Sequence, residues 1–310
     1  MSATFSVGVD MDSLHHYLRI HGLRGEAGPE AWTVALDRFL ELFEGLGLKA
    51  SFYCVAEDLS LSPEALPALL RARAAGHEIA NHSWRHPYAL TRLPLAELRR
   101  EVSEGKRLLE EALDVEVLGF RAPGYNTSAA VSEAVFNSGH IYESSAFPCA
   151  PYYIAKALVM ALMRARGKVS QSILASPRLL CAPRQPYHPD PSQPYRHSVA
   201  TRERLHAPIS VYWGAPLIGT ALSALGPRLS GWLMRRAAQR AQRRGEHLTL
   251  EFHAIDLLSL TEDGLDERLS VQPDLRLRLA HKRRCFEQAL KACHELSCVR
   301  LVDYAQARLS

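Results

Sequence analysis

Short apolar runs rich in β-branched and aromatic residues alternate with longer stretches whose apolar positions recur at helical spacing. "TFSVGVD", Thr4 to Asp10, reads as a buried strand with acids at its carboxyl end. "WTVALDRFLELFEGLGL" follows, with Val34, Leu36, Phe39, Leu40, Leu42 and Phe43 near a helical period and Gly45 and Gly47 as its stop. "KASFYCVA" is a second strand, and "SPEALPALLRARAAG" a second helix with Ser62 as N-cap and Pro63 at its first position. "HEIANHS", "PLAELRREVSEGKRLLEEAL" and "VLGFRAP" continue as strand, helix and strand, and "HLTLEFHAIDLL" is a late strand. This alternation predicts an α/β fold with a parallel sheet. Sites in such sheets form at the carboxyl ends of strands, and Asp10, Asp12, His82, His86, Arg121 and His253 all fall at such ends. A closed or strongly curved sheet would bring them to one mouth.

The regularity lapses between about 148 and 236. "APRQPYHPDPSQPYRHS" is dense in proline, tyrosine and polar residues and reads as an ordered surface excursion with little regular structure. It is flanked by "PYYIAKALVMALMRARGK" and "PLIGTALSALGPRLSGWLMRRAAQRAQRR", apolar segments that end in basic residues. These suit either helices in a membrane interface or helices packed on the sheet with their basic ends complementing the dipole. Trp213, Trp232, Tyr187 and Tyr195 in this region are candidates for stacking on sugar faces or for core packing.

With 310 residues, 47% of them apolar, the chain can bury a large core, and it is read as one domain over 1–310 carrying an insertion at about 148–236. A net charge of +4 gives no reason to expect a nucleic-acid partner. Six cysteines without C-x-x-C spacing read as reduced thiols. "MSATFSVGVDMDS" has no basic stretch followed by an apolar one, and no apolar run reaches the roughly 18 to 20 residues of a membrane span. A cytoplasmic location is expected, with attachment to the inner face of a membrane open.

"NHSWRHP" places His82 and His86 four residues apart, the separation that lets two imidazoles face one ion on a helical turn, with Pro87 stopping the turn. Taken singly, such a pair serves more often for capping or surface hydrogen bonding than as metal ligands. Its weight changes with "VDMDS", because alternation along a strand points Asp10 and Asp12 to one side and Met11 into the core. Two histidines and one carboxylate make a three-ligand set with open positions, and the second acid is then free to act as a base. Arg121 supplies a permanent charge to orient Asp10, and His253 an acid for the leaving group. The sum is metal-assisted hydrolysis of an acyl group.

In this order the residues resemble the polysaccharide deacetylases of the NodB type. "VDMDS" resembles a D-x-D variant of the first motif, "HSWRH" meets the H-S/T-x-x-H motif, "RAPG" approximates R-x-P-Y/W, and "LTLEFH" resembles the leucine-rich strand ending in histidine. The resemblance covers Thr4 to about Phe147 and again about Leu248 to the C-terminus. It implies a distorted (β/α) barrel with a long inserted region, Asp10 as base, Asp12, His82 and His86 as metal ligands, and His253 as acid. Zinc is the default ion, with cobalt, nickel or manganese as alternatives. Gly124 stands where the family has an aromatic, with Tyr125 one place later; Gly124, Tyr125 and His16 are the candidate substrate contacts. His15 and His16 are expected at the rim of the mouth. The acid that tunes His253 has no clear motif, and Glu143 and Asp256 are its candidates. The D-x-D variant and the insertion resemble the branch that removes formyl or acetyl groups from lipid-linked amino sugars. The expected function is therefore removal of an N-acyl group from an amino sugar in a glycolipid or lipid-linked glycan. Hydrolysis of small cyclic amides or imides, and a non-catalytic glycan- or lipid-binding role, are the alternatives.

Overall fold

The computed structural model describes residues 3–26, 28–165, 167 and 170–310. Its strands are β1 (Thr4–Met11), β2 (Ser51–Cys54), β3 (Glu78–Asn81), β4 (Gly119–Phe120), β5 (Tyr142–Glu143), β6 (Leu205–His206), β7 (Val211–Tyr212), β8 (Ala215–Pro216), β9 (His247–His253) and β10 (Ser297–Cys298). All but β7 and β8 form one parallel sheet. The order runs β9, β1, β2, β3, β4, β5, β6, with β10 beside the start of β1. The sheet curls into a distorted barrel. After β6 the chain crosses back to the other edge: Ile209 N–H donates to the Ala146 carbonyl (2.8 Å), and Ser210 N–H to that of Thr249 on β9 (2.9 Å).

The helices are α1 (Leu14–Ile20), α2 (Leu36–Leu46), α3 (Asp58–Leu61), α4 (Ala65–Ala74), α5 (Leu95–Leu113), α6 (Ala129–Asn137), α7 (Ala150–Ala165), α8 (Gly219–Leu225), α9 (Pro227–Arg244), α10 (Leu279–Lys291) and α11 (Leu301–Leu309). Period-two alternation divides β1 between two environments. Val7, Val9 and Met11 join a core with Phe39 and Phe43 of α2, Met234 of α9 and Phe286 of α10. Ser6, Gly8 and Asp10 face the concave side, where Arg121 crosses from beyond β4. A Cβ on Gly8 would lie 2.7 Å from an Arg121 guanidinium nitrogen and 2.9 Å from the Tyr53 ring, so glycine is required for that crossing.

Local differences from the sequence reading have simple causes. Gly45 lies inside α2, and only Gly47, at φ 65°, ends it. Ser62 does not cap α4: Pro63 and Glu64 form a turn, and the helix starts at Ala65. Residues 148–236 hold more regular structure than their composition suggests, including α7, α8 and the strand β6 that extends the sheet. Residue 236 falls within α9, which packs on α10 and β9. Of the basic residues closing the α7 segment, Arg166 and Lys168 lie outside the described residues. No helix among the described residues is long and apolar enough to cross a membrane.

One contact links fold to site. Helix α5 passes so close to the loop after β3 that a Cβ on Gly105 would lie 2.8 Å from the Ser83 carbonyl carbon and 2.9 Å from the Trp84 nitrogen. Backbone atoms cannot yield as a flexible side chain can. Gly105→Ala is expected to cost about 1–3 kcal/mol in chemical denaturation and to shift the loop carrying His82 and His86.

Candidate active site

The carboxyl ends of β1, β3, β4 and β9 bring six of the expected residues together. His82 Nε2 and His86 Nε2 each lie 3.3 Å from Asp12 Oδ1, and all three side chains are almost wholly buried. The two histidines do not converge by a helical turn. Residues 82–86 form a loop in which Ser83 (φ 74°) and His86 (φ 55°) are left-handed. Asn81 Oδ1 accepts from Ser83 N–H (2.9 Å) and Ser83 Oγ from His86 N–H (3.0 Å), which holds those conformations. Trp84 and Arg85, between the two ligands, pin the loop to α5: Arg85 pairs with Glu101 (3.0 Å) and stacks on Trp84 (3.9 Å).

Asp12, His82 and His86 fit a divalent ion. His82 Nδ1 lies 2.7 Å from the Arg121 carbonyl, which can only accept; Nδ1 therefore carries the proton, and the lone pair is on Nε2, towards Asp12. Asp12 Oδ1 is buried without a hydrogen-bond partner, while Oδ2 accepts from the Tyr17 hydroxyl (3.3 Å). Burial opposes charge on Asp12, but His86 and His82 hold its carboxyl well below the usual range. Burial holds His86 well below the usual histidine range, which keeps a neutral, ligating imidazole. Two imidazole nitrogens and a carboxylate oxygen suit a borderline divalent cation.

A second buried group adjoins the first. Arg121 Nη1 donates to Asp10 Oδ1 (2.6 Å), and its Nε donates to the Ser144 carbonyl (3.0 Å). Asp10 Oδ2 is left facing His82 Nε2 (3.8 Å) and His253 Nε2 (4.0 Å). Burial outweighs Arg121 and His82 at Asp10 and raises its pKa above the ordinary value. His253 Nδ1 pairs with Glu251 Oε1 at 2.8 Å; burial opposes its charge, but Glu251 overrides burial and lifts the imidazole well above its usual pKa. With 21% of its side chain exposed, against 2% for Asp10, His253 is the member of the pair open to the mouth.

Three expectations change. Neither Glu143 nor Asp256 pairs with the His253 ring: Glu143 is 3.0 Å from His206, and Asp256 accepts from the His253 backbone N–H (2.8 Å). Glu251 takes that place from the same strand, two residues back, and the signal was present as alternation in "LEFH". His16 is not at the rim but fully buried, with Nε2 3.0 Å from Asp58 and Nδ1 accepting from Arg19 (3.0 Å), so it offers no surface to a substrate. Arg19 also donates to the carbonyls of Arg85 (2.6 Å) and His86 (3.0 Å), making this network a brace for the histidine loop. Gly124 and Tyr125 both take positive φ (62°) beside the mouth. The Tyr125 amide is bound to the Ala122 carbonyl (3.1 Å), so the residue faces the mouth through its hydroxyl, 3.5 Å from His253 Nε2. Tyr187 is buried and hydrogen-bonded to His206, which removes it as a stacking surface.

A cavity of about 820 Å³ is lined by Asn126, Thr127, Tyr195, Arg178 and Arg196 among others. None of Asp10, Asp12, His82, His86 or His253 lines it.

Residues 26–141 match the family model for polysaccharide deacetylase. Over this stretch the chain is similar to the polysaccharide deacetylases. The family is one of hydrolases acting on carbon–nitrogen bonds. The deacetylase match spans "HSWRH" and "RAPG", while Asp10, Asp12 and His253 lie outside it and join the site through the fold. Among solved structures, Puue allantoinase overlays with a TM-score of 0.60 at 17% identity, over 98% of this chain and 89% of that one. Polysaccharide-deacetylase-type proteins from Pseudomonas aeruginosa PAO1 and Mycobacterium smegmatis are similar in the same way. The first has a TM-score of 0.58, 15% identity and coverage of 98% and 89%. The second has 0.57, 16% identity and coverage of 99% and 91%. These overlays establish the fold alone. No curated protein matches the chain.

Proposed function

We propose that the protein is a metal-dependent hydrolase that removes an acetyl or formyl group from the nitrogen of an amino sugar carried on a lipid or glycolipid. The observation that carries this reading is the adjacency of two buried sets: a donor trio, Asp12–His82–His86, and an acid–base pair, Asp10 and His253, each with its own partner. Asp12, His82 and His86 would hold a divalent ion, zinc by default, which when bound supplies Lewis-acid polarisation and acidifies water. Asp10 takes a proton from the attacking water. Its raised pKa brings it towards neutrality as a base, and Arg121 keeps Oδ2 aimed at the trio. His253, held protonated by Glu251, donates from Nε2 to the departing amine. Tyr125 and Gly124 border the path of the sugar.

The lipid part of the reading is supported by α7. Ile154, Leu158 and Leu162 are all more than half exposed on one side of it, and Trp213 stands 76% exposed on the adjoining turn. So much apolar area on one side is what an interfacial helix presents to acyl chains. The free cysteines agree with a reducing compartment, so the contact is assigned to the inner face of the membrane.

The reading is tested by loading purified protein with zinc, cobalt, nickel or manganese and measuring acetate and formate release from N-acyl amino sugars, lipid-linked ones included. Release from none of them would end it. A second reading, hydrolysis of a small cyclic amide, is favoured by the overlay with an allantoinase along nearly the whole chain. Ring opening of allantoin, without release from any N-acyl sugar, would select it.

A further inference from the structure

Helix α7 does more than present an apolar face, because its inner side reaches the mouth. The Tyr152 ring lies 5.7 Å from that of Tyr125, whose hydroxyl approaches His253. Lys156 follows Tyr152 by four residues and so projects from the same side. Its Nζ lies 4.0 Å from the point where a Cβ on Gly124 would stand, and Tyr88 Cδ1 lies 3.9 Å from that point. The Tyr88 ring packs edge-on against His86 at 4.6 Å. The ammonium therefore stands beside the Gly124–Tyr125 turn, next to Tyr88, which adjoins the histidine loop.

Lys156 makes no hydrogen bond or ion pair with any described residue. The acids nearby are committed elsewhere: Asp10 to Arg121, Asp12 to His82 and His86, Glu251 to His253. Burial pushes the lysine down to about 8, with no counter-charge from the chain. A half-buried cation at a binding mouth without an anion is a cost the fold bears without return until an anion arrives from outside. An ammonium, a compact point charge with three donors, suits phosphate. The outer face of the same helix is the apolar one, so a phosphate joining a sugar to a lipid would fall between the two.

We propose that Lys156 binds a phosphate carried by the amino sugar, making phosphorylated or phosphate-linked N-acyl amino sugars, rather than neutral glycans, the substrate class. The inference rests on the amino-sugar reading above. The Gly124 position contributes by leaving the lysine room, since the aromatic found there in the resembled motif would occupy the space beside Nζ.

The test is a binding measurement that needs no turnover. Calorimetry on metal-loaded Asp10→Asn protein compares N-acetylglucosamine 1-phosphate with the neutral methyl glycoside of N-acetylglucosamine. The phosphate is expected to bind at least about tenfold more tightly, and Lys156→Gln to remove that preference without changing the neutral ligand. Lys156→Arg should keep part of it. In parallel, the sugar phosphate should slow acylation of Lys156 by an amine reagent, read by peptide mass spectrometry. Equal affinity for the two ligands, or absence of binding together with unslowed acylation, overturns the proposal. So does a Lys156→Gln effect confined to anionic phospholipid vesicles, because the phosphate read would then belong to the bilayer. Failure of the deacetylase reading itself shows differently, as no acyl release from any amino sugar.

Discussion

His82→Ala or His86→Ala is expected to empty the proposed metal site and abolish turnover, whereas Asp10→Asn should keep the metal and lose only the reaction. Each histidine supplies one of three donors, and alanine leaves a buried Asp12 carboxylate facing a single imidazole. Loss of a mere outer partner of a metal ligand costs about 10- to 100-fold in affinity, so loss of a ligand should exceed that. Asparagine at position 10 has the shape of the acid, and its amide oxygen can still accept from Arg121 Nη1, so the surroundings persist. What would disappear is the proposed base, an effect of roughly 10²- to 10⁴-fold on kcat. Metal content after dialysis, measured by mass spectrometry beside kcat/KM, separates the two outcomes. An Asp10→Asn protein without metal would show that the two aspartates have been assigned the wrong way round.

Glu251→Gln should lower kcat by about 100-fold and move the alkaline limb of the pH–rate profile to lower pH. Glu251 is the partner that raises His253 against the effect of burial. As the proposed general acid, His253 would work while protonated, so activity should fall as pH rises through its pKa. Removing the carboxylate lowers that pKa, and the fall begins earlier. Asp256→Asn should leave this limb nearly in place, because Asp256 bonds to the His253 backbone and not to its ring. If the limb of Glu251→Gln coincides with that of the wild type, Glu251 is not the group that sets the protonation of His253. The profile is read under saturating metal, so that ligand protonation does not contribute.

Much of this site is legible along the chain because strand periodicity is local. Asp10 and Asp12 fall on one side of β1 for the same reason that Val9 and Met11 fall on the other. Glu251 and His253 obey that rule too; Glu251 escapes notice because a glutamate flanked by Leu250 and Phe252 looks like one polar position in an apolar strand. The histidine loop is a different case. Its four-residue spacing suggests a helical turn, yet the convergence depends on two left-handed residues and on hydrogen bonds from Asn81 and Ser83. Spacing restricts which residues can meet, while the backbone path decides how they do.

The sequence by itself determined the alternation of strand and helix, the motif residues at strand ends, and hence the fold class and the chemistry those residues can perform. Each follows from interactions within a few residues, such as burial of alternate side chains or the period of a helix. Only the tertiary structure decided which acid reaches which base. Arg121 meets Asp10 across 111 positions of sequence, His16 sinks behind the histidine loop instead of lining the rim, and Lys156 returns from the inserted region to the mouth. Such pairings depend on the curl of the sheet and the path of the inserted chain, which gather contributions from the whole core and leave no periodic signal near the residues they bring together.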